Sequence, residues 1–303
     1  MKILTFDIEE WFHILDNPDT KDPWQWEHFE SRIHRNMDII FNLLEGNDSK
    51  ATFFCLGWIA KKHPSIVKEI AKRGYEIGSH TTNHKLIYEH NRNSFNKDIS
   101  ESIKLLEDLT GKPVKTFRAP GFSITKNNIW AFEVLLENGI EIDSSVFPAS
   151  RAHGGFPEFH TSKPALIQIN GMVLKEFPIN TKSLLGTDLI FSGGGYFRLL
   201  PYLIIEKLMK SSDYVMSYFH PRDFDSEQPM IPGLSFLRRF KSYYGLASTE
   251  SNLKKLINEF HFDDLTTANR MVDWQNAKML NFDKPYHYGI QIPTISAPQV
   301  NLG

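Results

Sequence analysis

Near the start of the chain, in KILTFDIEEWFH (residues 2 to 13), Asp7, Glu9 and Glu10 close an apolar run that reads as a buried strand. A buried strand carries charge only where a partner faces it. Polar groups that could be such partners recur at the ends of other apolar runs: His80 and His84 after YEIGS, Arg118 after VKTF, Asp143 after IEI and His220 after YVMSYF. Two imidazoles at i,i+4, read as one helical turn apart, share a face and can chelate one ion. With a carboxylate from Asp7 or Glu9 they form a facial set for a borderline divalent ion, leaving positions for water and a substrate oxygen. Such an ion polarises a carbonyl and lowers the pKa of water toward neutrality. HTTNH (80 to 84) lacks an internal Glu, so the general base must come from elsewhere, and the second member of the Asp7/Glu9 pair supplies it. These two lie two residues apart and share one face of an extended strand, whereas Glu10 points away. Arg118 beside them can hold a carboxylate ionised in fixed geometry. His220 on the opposite rim can protonate a leaving amine, with Asp143 to orient it.

These groups converge only if the strands that end in them are parallel. Short β-like runs do alternate with longer helix-like ones: KILTFDI, then Phe29 to Leu44; ATFFCLG, then Ile59 to Lys72 with Gly74 as its stop. YEIGSH, a helix from Ser94 to Leu109, VKTFRAP, a helix from Lys126 to Asn138, and IEIDSS continue the series, and a helix from Phe197 to Met209 feeds YVMSYFHP. Such alternation specifies parallel strands with helical crossovers, whose carboxyl ends share one ligand-binding face. ALIQINGMVLKEFP breaks the rhythm as a hairpin turned at Asn170-Gly171, expected to be an insertion on the barrel. A helix from Ser248 to Phe260 follows, then a tail with Pro285, Pro293 and Pro298 that is expected to wrap the surface.

Composition narrows the function. At 303 residues and 41% hydrophobic the chain can bury one large core. A net charge of −2 gives no basic footprint, which argues against nucleic acid as a partner. The single cysteine, Cys55 in ATFFCLGW, reads as a packed core thiol and suits a reducing compartment. Asp7 interrupts the first apolar run too early for a signal peptide, and no apolar stretch is long enough for a transmembrane segment, so the expected location is cytoplasmic.

The ordered series TFDIEEWF, SHTTNH, FRAPGFS, IDSSVFP and SYFHP resembles the polysaccharide deacetylase family with the NodB homology domain, carbohydrate esterase family 4. GGGYFRLLPY (193 to 202) and the region after HPRDFD resemble a branch associated with bacterial exopolysaccharide gene clusters. The resemblance implies a distorted (β/α) barrel over residues 1–265, with 266–303 as a C-terminal extension. It also implies a divalent metal, usually zinc, with cobalt, nickel, manganese or iron as other borderline ions, and removal of an N-acetyl group from an amino sugar that is nucleotide-, lipid- or polymer-linked. By the same resemblance Asp7 is the base, Glu9, His80 and His84 are the ligands with Glu10 the alternative carboxylate, and Arg118 tethers Asp7. A backbone N–H near Gly121 holds the oxyanion, and His220 is the acid with Asp143 in support. Two departures stand out: glycine at 121, where an aromatic is commoner, and the Asp-Ile-Glu spacing in place of adjacent aspartates. Trp11, Phe12, Trp24, Trp26 and Phe122 are candidates to stack on sugar faces, whereas Phe54 and Trp58 read as packing.

Overall fold

The structure, a computed structural model, describes residues 1–283 apart from 16, 152–153, 185–186 and 232. The proline-bearing tail named above lies outside the described residues.

In chain order the elements are β1 (Lys2–Ile8), α1 (Pro23–Trp26), α2 (Ile33–Leu44), β2 (Thr52–Cys55), α3 (Gly57–Lys62), α4 (Pro64–Lys72), β3 (Glu76–Ser79), α5 (Arg92–Thr110), β4 (Thr116–Phe117), α6 (Trp130–Glu137) and β5 (Ile142–Asp143). There follow β6 (Ala165–Ile169), β7 (Met172–Glu176), β8 (Lys182–Leu184), β9 (Thr187–Leu189), α7 (Gly194–Leu199), α8 (Tyr202–Lys210), β10 (Val215–Phe219), α9 (Phe236–Tyr243), α10 (Leu246–Glu259), α11 (Leu265–Met271) and β11 (Lys278–Asn281). Two of the expected helices are each split in two at a proline. Pro64 and Pro201 have no N–H for the helical ladder, so α3 ends before the first and α7 before the second.

One sheet of nine strands runs β10-β1-β2-β3-β4-β5-β7-β6-β11, parallel throughout except where β6 meets β7. The fold is therefore an α/β barrel-like sheet, open in its hydrogen bonding between β10 and β11. The expected hairpin is present, and Asn170 and Gly171 turn it with φ of +49° and +72°, the positive pair that a tight two-residue turn needs. It is not an insertion, however. β7 pairs in parallel with β5 and is a strand of the barrel itself, and β11, from the expected C-terminal extension, pairs with β6.

Side-chain alternation along β1 explains both sides of this sheet. Leu4, Phe6 and Ile8 face outward into the main core, where Phe6 stacks on Phe53 at 5.1 Å between ring centroids. Ile3 faces inward into a second, smaller core with Phe54, Ile142, Phe177, Met216 and Tyr218. That interior cluster fills the barrel up to the strand ends, so Thr5 and Asp7, two and four residues beyond Ile3, emerge above it. Cys55 is a buried free thiol, and burial pushes its pKa up, away from reactivity.

Candidate active site

At the carboxyl end of β1, Glu9 Oε1 lies 3.0 Å from His80 Nε2 and 2.9 Å from His84 Nε2. The two histidines do not share a helix. They sit in the loop after β3, which is folded back by left-handed backbone at Thr81 (φ +69°) and at His84 itself (φ +55°). The loop is pinned from two helices. The N–H groups of Gly57 and Trp58 on α3 donate to the carbonyls of Thr81 and Thr82 at 2.9 Å each. Asp98 on α5 accepts from the Thr82 N–H at 2.8 Å. A Cβ at Gly57 would stand 3.1 Å from the Thr82 Cα, so the close approach of α3 to this loop favours glycine there.

The donor set fits a metal ion. His80 Nδ1 is 2.7 Å from the Arg118 carbonyl oxygen, which can only accept, so Nδ1 carries the proton and the Nε2 lone pair faces the Glu9 carboxylate. Two lone pairs in van der Waals contact repel unless positive charge sits between them. Glu9, His80 and His84 each offer one donor atom, all within 4.8 Å of one another, and would together hold one divalent ion. Burial alone would raise the Glu9 pKa, but positive charge gathered around its carboxylate holds it well below the usual range. Glu10 is engaged elsewhere. Its carboxylate accepts from Ser31 Oγ at 2.5 Å and from the Arg32 and Ile33 N–H groups at 3.2 and 3.3 Å, capping α2.

Beside this set, Arg118 is wholly buried and donates four hydrogen bonds. Nη1 donates to Asp7 Oδ1 at 2.8 Å and to Thr5 Oγ1 at 2.6 Å, Nη2 donates to Ser144 Oγ at 2.9 Å, and Nε donates to the Ser144 carbonyl at 3.2 Å. The guanidinium also lies over the Phe54 ring at 4.4 Å. Across the rim, β10 continues the inward series Met216 and Tyr218 to His220, whose Nε2 stands 3.9 Å from Asp7 Oδ2. A second possible donor cluster, Asp7, Glu9 and His220, overlaps the first.

The partner of His220 is Asp223, not Asp143. Asp223 Oδ2 accepts from the His220 backbone N–H at 2.9 Å and lies 3.1 Å from Nδ1. Its other oxygen is 3.6 Å from Arg198 Nε on α7. Burial lowers the His220 pKa, but the Asp223 hydrogen bond and the charges of Glu9, Asp223 and Asp7 outweigh it and raise the value to about 9. Asp143 fails as the support because of strand parity: Ile142 faces the interior cluster, so Asp143 faces the other way. There it accepts from Ser145 Oγ at 2.5 Å and sits opposite Glu176 of β7. The signal for Asp223 was legible in HPRD, where Pro221 opens a short 3-10 turn that returns residue i+3 to the histidine.

Four of the five candidates for sugar stacking are buried. Trp11 is 3% exposed, with edge-on contacts to Phe12 and Phe29, and donates Nε1–H to the Glu30 carbonyl. Phe122 is 4% exposed and packs edge-on against Tyr218 under the Arg118 and Arg151 guanidiniums. Phe12 and Trp26 are buried as well, and Trp24 is exposed. Gly121 occupies a left-handed position (φ +60°) in the turn Pro120–Phe122 that follows Arg118 and is half-buried there.

Residues 18–135 match the family model described as polysaccharide deacetylase, and residues 144–270 match one described as a domain of unknown function. Residues 18–135 thus carry a polysaccharide deacetylase domain, of the NodB, carbohydrate esterase family 4 type. A peptidoglycan-N-acetylglucosamine deacetylase of Bacillus cereus is 38% identical over 95 residues, 31% of this chain and 34% of that protein. A chitooligosaccharide deacetylase of Azorhizobium caulinodans is 34% identical over 82 residues, 27% of this chain and 39% of that protein. The matched stretch thus spans little more than a third of the length of these relatives. Similarity of fold extends further than similarity of sequence. A Mycobacterium smegmatis protein named a candidate polysaccharide deacetylase superposes with a TM-score of 0.62 at 17% identity, covering 93% of each chain.

Proposed function

We propose that this deacetylase domain is a metal-dependent hydrolase that removes an N-acetyl group from an amino sugar during bacterial polysaccharide biosynthesis, releasing acetate and a free amine. The observation that carries the reading is the juxtaposition of two differently tuned halves. On one side lies a three-donor set at 2.9–3.0 Å, and on the other a histidine, 3.9 Å from Asp7, held toward its protonated form. Glu9, His80 and His84 would hold one divalent ion, with zinc the first expectation from two imidazoles and a carboxylate. When bound, that ion supplies Lewis acidity, polarising the amide carbonyl and easing ionisation of the attacking water.

The remaining chemistry belongs to the protein. Asp7, held in place by the Arg118 guanidinium, accepts a proton from water as the water oxygen bonds to the carbonyl carbon. The backbone near Gly121 contributes to the oxyanion's environment. His220 carries its proton on Nε2, because Asp223 engages Nδ1, and passes it to the amide nitrogen as the C–N bond breaks. The atoms balance: one water is consumed, and acetate and the amine are released. Mass spectrometry for loss of an acetyl group, run on nucleotide-linked, lipid-linked and oligomeric N-acetyl sugars beside cyclic imides and formamides, tests the substrate class. Turnover confined to the imides or formamides would transfer the site to small non-sugar amides. Metal analysis of His80→Ala and His84→Ala tests the ligands, each variant being expected to lose the ion together with activity.

A further inference from the structure

Helix α9 is mounted with its apolar side outward. Phe236 is 85% exposed, Leu237 61%, Phe240 42% and Tyr244, just past its end, 49%. No residue of the helix is buried. At about 100° per residue these four fall on one arc, and the basic residues Arg238, Arg239 and Lys241 fall on the other. What holds α9 to the protein is polar. Arg238 Nη2 donates to the Leu15 carbonyl, Arg198 of α7 donates to the carbonyls of Lys241, Ser242 and Tyr244 at 3.1, 2.9 and 3.2 Å, and Tyr243 Oη accepts from the Ile231 N–H at 2.9 Å. The apolar arc is thus largely left to solvent, Phe236 and Leu237 most of all, and exposed Tyr196 and Leu199 of the neighbouring α7 add to the apolar surface.

We propose that α9 is a membrane-interface helix that seats this face of the domain on a bilayer containing anionic lipid. Charge selects this occupant. Residues 233–246, GLSFLRRFKSYYGL, hold three cations and no acid, and aromatic and leucine side chains beside Arg and Lys form the pattern that lies in the headgroup region. A second copy of the chain would set these same cations against each other across a two-fold contact, which is unfavourable. The helix also borders the catalytic rim. Leu15 lies in the loop after β1, and Arg222, two residues from His220, stacks on Tyr243 at 5.6 Å. Seating α9 would bring the cleft to the membrane surface, where an amino sugar carried on a lipid would meet it. The seating itself is independent of the deacetylase reading, because it is measured without turnover.

The test is flotation of the full chain with phosphatidylglycerol-containing vesicles and with vesicles of phosphatidylcholine alone. The wild type is expected to float with the anionic vesicles and about tenfold less with the neutral ones, with release at high salt. F236S/L237S/F240S, and separately R239E/K241E, should each lose vesicle binding by about tenfold or more while the circular dichroism melt is retained, since these side chains are exposed. Failure of the wild type to float overturns the proposal, as does binding unchanged in both variants. So does a wild-type dimer, seen by light scattering without flotation, that the triple variant dissolves, since the face would then serve self-association.

Discussion

Replacing Arg118 by methionine should separate two functions that this residue performs with different atoms. Its carbonyl fixes the proton on His80 Nδ1, and any residue at 118 supplies that carbonyl; its side chain alone reaches Asp7. Arg118→Met leaves Asp7, 3% exposed, without its cation and leaves Thr5 Oγ1 and the Ser144 carbonyl without donors. Breaking a buried pair from one side costs roughly 3–5 kcal/mol. At ~2.1 cal/mol/K of unfolding entropy per residue the 303-residue chain has ~0.6 kcal/mol/K, so the melting temperature should fall by roughly 5–8 °C. The assay is a double-mutant cycle of Arg118→Met with Asp7→Asn, followed by denaturant unfolding and by metal analysis. The double variant should be more stable than the sum of the single losses by about 1–3 kcal/mol, because the pair no longer has an unmatched member. Metal content should stay near that of the wild type while deacetylation falls with Asp7 disabled. Additivity within ~0.5 kcal/mol would refute the coupling. Loss of metal in step with activity would refute the division between backbone and side chain.

His220→Ala should lower amide hydrolysis by roughly two to four powers of ten and hydrolysis of an activated acetate ester far less, since only the amide nitrogen needs a proton to leave; equal losses at unchanged metal content would remove His220 from the role of acid. With the His220 pKa raised to about 9, its proton is present below that pH and lost above it, so kcat/KM for the amide should decline as pH rises through about 9. Asp223→Asn removes the anion that stabilises the imidazolium and should move this limb to lower pH; an unmoved limb would dissociate Asp223 from the acid. Burial raises the Asp143 pKa to about 6, and burial together with the Asp143 charge raises Glu176 well above its usual value. Both folded values lie above the unfolded ones, so the stability they contribute is complete below the ordinary carboxylate range and is lost as pH rises through about 6 and beyond. Glu176→Gln, which mimics the protonated acid, should flatten the decline in melting temperature on the alkaline side, and a decline as steep as in the wild type would contradict the assignment.

The residues that form the site stood out in the sequence because each breaks the polarity of a strand, and parallel strands deliver their carboxyl ends to one face. Asp7, Glu9, Arg118 and His220 were legible for that reason. What was not legible came from backbone geometry that residue types do not announce. The i,i+4 spacing of His80 and His84 reads as a helix turn, yet two left-handed residues bend a loop to the same effect. Asp143 ends a strand of only two residues, too short for a pattern to show which side faces inward, and that one-residue uncertainty decides whether it reaches the rim or the outer layer. The hairpin was found from Asn-Gly, but its place in the barrel depends on a pairing with β5 that no local signal encodes.

The first family model ends within α6 and the second begins just after β5, yet the site does not divide there. The region matched as a deacetylase supplies His80, His84 and Arg118, and the seventeen residues before it supply Asp7 and Glu9. The opposite side of the site comes from the region of unknown function: His220, its partner Asp223, Arg198 behind Asp223, and Ser144, which holds two of the donors of Arg118. That region also supplies β10, which pairs with β1 from Lys2↔Val215 to Phe6↔Phe219 and so sets His220 level with Asp7. Without that strand β1 would present an unpaired edge and Asp7 would lack the imidazole opposite it. The second region is thus the other wall of one barrel, and it brings to that wall a histidine paired with an aspartate three residues on and a helix whose apolar side faces outward.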